Sequence, residues 1–428
     1  MKKSVVIFIT AVCLLITGCG DTGSLSKLPS SSFHEDKQKL TIMHIDADNK
    51  RFQDFIEETE KKLDMEITVE KCPSNADNRQ AKISTILASG DKNIDLISVN
   101  DEMISEFKHK GYLEPLEKNV MTEEVRDSFP QEYLESICEE NGHIYSVPFQ
   151  MDIMMFWVNQ ELLKQAGLDE IKNTGDFDIL QKSLKNPDQY AYGDAWENTH
   201  VYNSLSQFVN FWGGDYFDWT DPKTKDAARY MKSMLDEKNT SPAQFVDQYE
   251  QMEEKFIRGK YGCVFMYTSA LGTFLDADVY GKNKIHMAPL PVLHKKKATN
   301  IATWQYVLNN ASENKDAAFR FLQYAAGYEG STEYAKIMKS YPARVDVIEN
   351  EDIDLEGIDM IRKYLREYTL NARPLCENSM GAVSDMGKLF QGYVLGQCEE
   401  DSFFEQAQNC IKASSDVLFS CGFLMPDL

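Results

Sequence analysis

Three side chains suited to hydrogen bonding or metal binding alternate within and after an early apolar run. The run is KLTIMHI, and His44, Asp46 and Asp48 occupy every second position from its histidine onward. Because alternate residues of an extended chain face the same side, the imidazole and both carboxylates would point one way. These side chains could accept hydrogen bonds from the hydroxyl groups of a ligand or supply some of the ligands of a metal ion. The alternative is that they lie in a solvated loop without a binding role. The segment lacks the glycine and the later glutamate of a calcium loop, so we expect no bound metal.

No catalytic signature stands out in the chain. The sequence contains no GxSxG, no HExxH, no phosphate-binding loop and no convincing order of triad residues. A glycosidase needs two carboxylates, and the many acidic residues leave that possibility open without singling out a pair. We therefore expect a protein that is not an enzyme and has no cofactor.

The polar side chains need elements that bring them to one edge of a sheet. Apolar, β-branched runs alternate with amphipathic runs of helical period: the first strands are KLTIMHI, MEITVEKC and IDLISV, and NRQAKISTILASGD is one of the helices. This order predicts an open α/β sheet whose first strands are parallel. Ligands of such sheets bind beyond the carboxyl ends of the strands. Two polar stretches lie there, namely residues 44–48 and, after the third strand, Asn100 with Asp101.

A second α/β region is predicted over about 150–298, with KYGCVFMYTS and IHMAPLPV as its clearest strands. The next segment, IATWQYVLNNASENKDAAFRFLQYAAG, predicts a strand, a turn and a helix, with Ser312 as the N-cap. The C-terminal part is predicted to be mainly helical. Trp157 stands in an apolar run before a predicted helix, which indicates core packing.

The N-terminus predicts export from the cytoplasm. Two lysines precede an apolar run that ends near Ile16, too short for the roughly 20 residues of a membrane-spanning helix and typical of a secretory signal. The sequence ITGC at its end resembles the lipobox of a bacterial lipoprotein, and an ordinary signal with an incidental cysteine is the alternative. Residues 1–18 would then be the signal peptide, and 19–37 a flexible tether beginning at the lipidated Cys19.

The acidic composition excludes some partners. The formal net charge is −23 at pH 7, whereas nucleic acids and anionic lipid surfaces require an excess of cations. We therefore expect no nucleic acid partner. Removal of Cys13 and lipidation of Cys19 would leave seven of the nine cysteines. Such an odd, scattered set is not a disulfide framework, so we expect mostly free thiols.

Four segments in order resemble the extracellular solute-binding lipoproteins of ABC importers, a large group that contains oligosaccharide binders. AKISTILASGDKNIDLISV is similar to a helix–SGD–strand block of that family, and KGYLEPLEK to its G-x-L-x-P-L step. NGHIYSVPFQMDIMMFWVNQELLKQAGL is similar to its G-x-x-Y-x-x-P crossover and the following helix. ATWQYVLNNASENKDAAFRFLQYAA is similar to the strand and helix that return to the first lobe. One departure is that Ala302, Thr303 and Trp304 stand where the family often has glycines.

The resemblance implies a two-lobed, periplasmic-binding-protein-like α/β fold. A ligand cleft would lie between the lobes, and hinge strands would join them. Lobe closure around a ligand is a hinge motion, and a permease would recognise the closed form. One lobe would contain residues 38–148 and 300–342, and the other lobe would contain residues 150–298 and 345–428.

A sugar has hydroxyl groups and an apolar ring face, so its binder needs hydrogen-bonding side chains and aromatic platforms. Core packing is the alternative for the aromatic candidates, and a structural ion pair is the alternative for the arginines, Arg373 included. The candidate ligand-binding residues lie after predicted strands, at the crossover or in loops near the cleft: His44, Asp46, Asp48, Asn100, Asp101, Gln150, Asp152, Trp196, Tyr267, Trp304 and Arg344.

Together, the residues and the resemblance predict a monomeric binding protein on the extracytoplasmic face of the cell membrane, anchored there by its lipid. It would capture a small-molecule solute, a carbohydrate and by expectation an oligosaccharide, and deliver it to the permease of an ABC transporter. Three alternatives remain: a sensory or adhesive lipoprotein on the same fold, a binder of a non-sugar solute such as a peptide, and a secreted glycan-acting enzyme.

Overall fold

A computed structural model describes residues 37–73, 76–376 and 379–415. The predicted signal peptide, Cys19 and nearly all of the predicted tether lie outside the described residues. The strands of the described part are β1 (Gln38–His44), β2 (Met65–Lys71), β3 (Leu96–Asn100), β4 (Glu139–Glu140), β5 (His143–Ile144), β6 (Ser146–Asn159), β7 (Tyr190–Gly193), β8 (Tyr261–Tyr267), β9 (Ile285–Ala288), β10 (Ala298–Leu308) and β11 (Thr369–Ala372).

Helices cover most of the remaining described chain. They are α1 (Lys50–Leu63), α2 (Ala76–Ser89), α3 (Asp101–Phe107), α4 (Glu123–Arg126), α5 (Gln131–Tyr133), α6 (Gln160–Gln165), α7 (Thr174–Ser183), α8 (Val201–Trp212), α9 (Pro222–Asp236), α10 (Tyr249–Ile257), α11 (Ala270–Asp276), α12 (Lys315–Ala326), α13 (Tyr328–Met338), α14 (Val345–Glu349), α15 (Ile358–Glu367), α16 (Ser379–Val394) and α17 (Glu400–Ser415). No helix in this part of the chain has the length and apolar character needed to cross a membrane.

One mixed sheet organises these elements. Its strand order is β2-β1-β3-β10-β6-β8-β7, with β11 also paired to β10 and β9 to β6. Strand β1 is parallel to both β2 and β3, which confirms the predicted parallel grouping of the first strands. Strand β10 runs antiparallel to β3 and to β6, because the chain returns to the first strands from the opposite direction.

The two longest strands join the two ends of the sheet. Strand β6 has 14 residues and β10 has 11. The first part of β6 pairs with β10, and its second part pairs with β8 and β9. Polar side chains on the β6–β10 ribbon therefore lie between the strands from the N-terminal region and those from the middle of the chain.

Helix α1 shows how the sequence pattern sets local structure. Asn49 caps its start by accepting a hydrogen bond from the Arg51 backbone N–H. Phe52, Phe55 and Ile56 follow at helical spacing and are buried. This apolar stripe packs the helix against the sheet, where Phe52 stacks on His44 of β1.

Two predictions in the return segment and beyond need correction. Helix α12 begins at Lys315 with Asn314 as its N-cap, so the prediction of Ser312 at that position is wrong. The Ser312 hydroxyl instead donates to Asp95 Oδ1 at 2.5 Å, and buried Asp95 holds it in the preceding turn. The mainly helical C-terminal part also contains β11, a four-residue strand added parallel to β10.

Two tryptophans lie in the core, and for Trp157 the sequence predicts this position. Trp157 and Trp219 are fully enclosed, and Trp157 Nε1 donates to the Met266 carbonyl at 2.9 Å. Cys72, Cys138 and Cys263 are buried free thiols, as predicted for most of the cysteines.

Candidate functional site

A cavity of about 340 Å³ opens beside the paired long strands β6 and β10. Its lining comes from the carboxyl end of β3, the middle of β6 and β10, the start of α8 and the end of β8. The volume lies in the range of small-molecule sites, which is about 300–1,000 Å³. The cavity is therefore the candidate binding site.

Two acceptor side chains flank β10 on the floor of the cavity. Asn100 of β3 pairs in register with Trp304, and Asp152 of β6 pairs with Ala302. All four residues line the cavity. The small side chain of Ala302 leaves space between the acceptors, whereas the Trp304 indole adds an aromatic surface beside them.

The Asp152 carboxylate is held firmly and is largely buried. Its Oδ1 accepts hydrogen bonds from Thr268 Oγ1 at 2.7 Å and from the Ser269 backbone N–H at 2.9 Å. Burial raises the pKa of Asp152, and these hydrogen bonds oppose the rise. Both of these donors use Oδ1, and the residue lines the cavity.

Asn100 has an unmet hydrogen-bonding requirement. Its Oδ1 is buried and has no hydrogen-bond partner among the described residues. A buried acceptor without a donor costs about 1–3 kcal/mol. A ligand hydroxyl or ammonium group that reaches this oxygen would remove that cost.

Arg373 forms a buried ionic network beside the cavity. Its Nη1 and Nη2 contact the two oxygens of Glu102 at 2.5 and 2.7 Å, and its Nε contacts Asp101 Oδ2 at 3.2 Å. The Tyr202 hydroxyl donates to Glu102. Burial alone would raise the pKa of Glu102, but Arg373 and Tyr202 hold that pKa below its ordinary value. The charge of Arg373 is thus compensated within the protein.

Aromatic side chains form much of the remaining wall. Tyr202, Tyr249, Tyr267 and Trp304 all line the cavity. The Tyr267 hydroxyl donates to Asn203 Oδ1 at 2.9 Å, which fixes the ring. The combination of rings with amide and carboxylate groups gives the cavity both apolar and hydrogen-bonding surface.

The cavity brings together four of the residues proposed from sequence, which are Asn100, Asp152, Tyr267 and Trp304. Asp101 lies behind the cavity, where it is fully buried and accepts hydrogen bonds from the Tyr133 hydroxyl and the Thr303 backbone N–H.

Three proposed residues at the end of β1 lie away from the cavity, because β3 stands between β1 and β10. His44 is buried and stacks on Phe52, with ring centroids 3.8 Å apart. Asp46 is half-buried beside it. Asp48 forms an exposed ion pair with Lys71.

Three further proposed residues also have structural partners outside the cavity. Gln150 Oε1 accepts a hydrogen bond from Tyr334. Trp196 is fully buried, and its Nε1 donates to Asp194 at 2.8 Å. Arg344 contacts Asp346 and donates to the Ala326 carbonyl at 2.8 Å. Within the described residues, no group of three or more His, Cys, Asp or Glu side chains is arranged to hold a metal ion.

Sequence reasoning missed several cavity residues. Tyr202 and Asn203 stand in the first turn of α8, and Glu102 follows two residues that were proposed. The position of Glu102 directly after β3 was a usable signal, because strand carboxyl ends carry ligand contacts. Arg373 was a candidate from the sequence, with a structural ion pair as the alternative, and the structure places it in an ion pair with Glu102 and Asp101.

Comparison with known proteins places this architecture in a family. Residues 46–332 match the family model described as bacterial extracellular solute-binding protein. An ABC transporter solute-binding protein of Thermotoga lettingae, bound with α-D-tagatose, superposes with a TM-score of 0.75 at 18% identity, covering 88% of this chain and 99% of that one. The GacH receptor of Streptomyces glaucescens, solved unliganded and with acarbose, gives a TM-score of 0.74 at 18% identity, covering 89% and 98%.

Among curated relatives, a probable amino-acid ABC transporter periplasmic-binding protein of Sinorhizobium fredii is 24% identical over 239 residues, which is 53% of this chain and 54% of that protein. The chain spans little more than half the length of the first curated relatives it matches, 54% and 60%. The similar structures confirm the predicted two-lobed, periplasmic-binding-protein-like α/β fold. With two-thirds of its length matched by the family model, the chain belongs to the bacterial extracellular solute-binding proteins.

Proposed function

We propose that this protein captures a carbohydrate in the cavity between β3, β6, β10 and α8 and delivers it to an ABC permease. The observation that carries the proposal is the mixed lining: Tyr202, Tyr267 and Trp304 stand beside the acceptors Asn100 and Asp152. A sugar ring presents an apolar face to aromatic rings and hydroxyl groups to side-chain oxygens, so it uses both kinds of surface.

The charges near the cavity favour an uncharged solute. Arg373 is bound by Glu102 and Asp101, so an anionic ligand would have to compete with two carboxylates. An ordinary sugar needs no such exchange, because its hydroxyl groups donate to Asn100 and Asp152 without carrying charge.

An amino acid or short peptide is the second candidate. Arg79 and Asp152 both line the cavity, and together they offer a cation and an anion to a zwitterion. The Arg79 guanidinium lies 5.4 Å above the Trp304 ring and donates to the Pro73 carbonyl at 3.2 Å. A zwitterion would draw Arg79 away from these contacts, which makes this candidate the weaker of the two.

We also propose the anchoring and lobe assignment that the sequence predicts. Lipidated Cys19 would hold the protein on the extracytoplasmic face of the membrane through the tether. The lobes would contain 38–148 with 300–342 and 150–298 with 345–428. The pairing of β6 with strands at both ends of the sheet supports a hinge in the β6–β10 ribbon.

A thermal-shift screen tests the proposed ligand class. Residues 20–428 would be heated with mono- and oligosaccharides, polyols, amino acids, peptides and polyamines. A ligand that binds only the folded state raises its stability by about 2.7 kcal/mol at a hundredfold excess over the dissociation constant. We expect a clear shift with one family of glycans. A shift with amino acids or peptides and with no sugar would overturn the carbohydrate proposal.

A further inference from the structure

The last two helices of the described chain, α16 and α17, enclose a surface groove of about 350 Å³. The Cys410 Sγ atom lies 3.9 Å from the Ala382 carbonyl oxygen, so the end of α17 packs beside the start of α16. On each helix the main lining residues are three or four positions apart and therefore lie along one face. These residues are Ala382, Asp385 and Leu389 of α16 and Gln406, Cys410 and Ala413 of α17.

The groove has an apolar floor and a polar rim. On the floor, Ala382 is buried, and Leu389 and Cys410 are partly buried. On the rim, the exposed Asp385 forms an ion pair with the exposed Lys388. An apolar centre inside a polar rim is the usual composition of a surface that binds another stretch of polypeptide.

An apolar segment of the same chain follows α17 directly. Residues 416–428, DVLFSCGFLMPDL, lie outside the described residues. Seven of these 13 residues are Val, Leu, Phe or Met, and the only charged side chains are two aspartates. Because burial of apolar surface is favourable, such a sequence is more stable covered than in water.

This segment is too short to cross a membrane. Its apolar stretch runs from Val417 to Met425 and is followed by Pro426 and Asp427. A membrane-spanning helix needs about 20 apolar residues. Contact with the protein itself is therefore the arrangement that covers these side chains.

The groove begins within one helical turn of the point where the segment starts. Ala413 lines the groove, and α17 ends at Ser415. The lining from Gln406 to Ala413 extends about 10 Å along the helix axis, whereas 13 residues can extend to about 40 Å. The segment is therefore long enough to reverse direction after Ser415 and cover the whole groove.

We propose that residues 416–428 fold back onto the groove between α16 and α17 and bury their apolar side chains against Ala382, Leu389 and Cys410. Val383, the residue after Ala382 on α16, lines the ligand cavity. The docked segment would thus support a helix that forms part of the cavity wall. This interaction goes beyond ligand capture and does not depend on which ligand the protein takes.

The reactivity of Cys410 tests the docking. Labelling with iodoacetamide, measured for each cysteine by peptide mass spectrometry, would compare residues 20–428 with a chain shortened to 20–415. We expect Cys410 to react about tenfold faster in the shortened chain, because burial of one large apolar side chain shifts an equilibrium by at least that factor. Cys398, which is partly buried outside the groove lining, is the internal control and should react equally in both chains.

Leu389→Asp tests the groove with residues 416–428 still present. A carboxylate on the groove floor disfavours apolar contact, so this variant of residues 20–428 should also label Cys410 about tenfold faster. The matched control is Leu395→Asp, at an exposed leucine outside the groove lining, and it should leave the rate unchanged. Cys263 is fully buried and should stay unlabelled in every folded protein.

Equal Cys410 rates in 20–428 and 20–415 would overturn the proposal, and so would a wild-type rate in Leu389→Asp. Protection of Cys410 that appears only as the protein concentration rises would assign the groove to a second copy of the chain. Protection that appears only with phosphatidylcholine–phosphatidylglycerol vesicles would assign the segment to a lipid surface. Either of these two outcomes would also overturn docking within one chain.

Discussion

Asp152 and Trp304 would provide the two kinds of contact that the proposed sugar needs, and they stand on adjacent strands. Thr268 and Ser269 fix the Oδ1 oxygen of Asp152, and the residue lines the cavity. The Trp304 indole lines the same cavity and is only partly buried. Because both side chains come from the β6–β10 ribbon, their spacing is set by strand pairing rather than by a loop.

Trp304→Ala should weaken carbohydrate binding about tenfold, because stacking of a ring on an aromatic side chain is worth about 1 kcal/mol beyond the buried area. Calorimetric titration with the sugar that gives the largest thermal shift measures the change. The control is Tyr328→Ala, which removes an exposed aromatic ring outside the cavity. Equal affinity of wild type and Trp304→Ala would remove the indole from the site.

His44 shows how burial gives a polar residue a structural role. Its Nδ1 accepts a hydrogen bond from the Asp46 backbone N–H at 3.0 Å, which requires an unprotonated nitrogen. Burial lowers the pKa of His44 to about 3. The unfolded chain protonates this histidine below about pH 6.5, whereas the folded protein does so only near pH 3. The stability that the neutral ring contributes is therefore lost as the pH falls through this window.

His44→Phe should make unfolding less sensitive to acid. For the wild type, the histidine alone lowers the free energy of unfolding by about 2 kcal/mol between pH 7.5 and pH 5. The phenylalanine keeps an aromatic ring beside Phe52 but has no proton to gain. Urea unfolding at both pH values measures the difference, and an equal acid-induced loss in the two proteins would refute the neutral buried state.

At the scale of elements, the segment after β11 ties distant parts of the chain together. Arg373 reaches Asp101 and Glu102 at the start of α3, and Tyr202 at the start of α8 donates to the same Glu102. These contacts fix one wall of the cavity. The short strand β11 places Arg373 there, because it pairs with β10 immediately before that residue.

Glu102→Ala should destabilise the protein by about 3 kcal/mol or more, because it leaves a buried arginine with incomplete compensation. Denaturant unfolding at pH 7 measures this loss. Glu57→Ala, at an exposed ion pair with Lys61, serves as the control and should cost less than about 1 kcal/mol. A similar small cost for both variants would mean that the Arg373 network contributes little to stability.

Local patterns in the sequence predicted the strands and helices better than they predicted which of these elements lie next to each other. The strand–helix alternation from β1 to β3 is visible because apolar periodicity is local, and it located Asn100 at a strand end. The same rule proposed His44, yet β3 separates β1 from the cavity, and strand order is a non-local property. Trp196 follows a strand too, but Asp194 draws its indole into the core. Arg373 depends on β11, whose four residues carry no distinctive pattern.

At the scale of the whole molecule, the β6–β10 ribbon connects both ends of the sheet and forms the floor of the cavity. A ligand that bridges Asn100 and Trp304 to Tyr202 and Asn203 would hold elements from both ends together. Such bridging favours a closed arrangement of the proposed lobes, since a ligand stabilises the state to which it binds more tightly.

Saturating carbohydrate should therefore reduce the radius of gyration measured by small-angle X-ray scattering. Trp304→Ala at the same sugar concentration is the control, because its weaker binding should leave more of the open population. Saturable binding with no change in the radius would reject ligand-driven closure and leave the binding site itself in place.

The central claim is that the carbohydrate binds at Asp152, and one calorimetric comparison tests it most directly. Asp152→Asn keeps an Oδ1 acceptor for Thr268 and Ser269 but replaces the second carboxylate oxygen with an amide nitrogen. We predict single-site binding of one glycan family to the wild type and about a tenfold to hundredfold loss in the variant, as for loss of a charge-assisted hydrogen bond. Equal binding by both proteins, or no saturable heat with any carbohydrate, would contradict the claim.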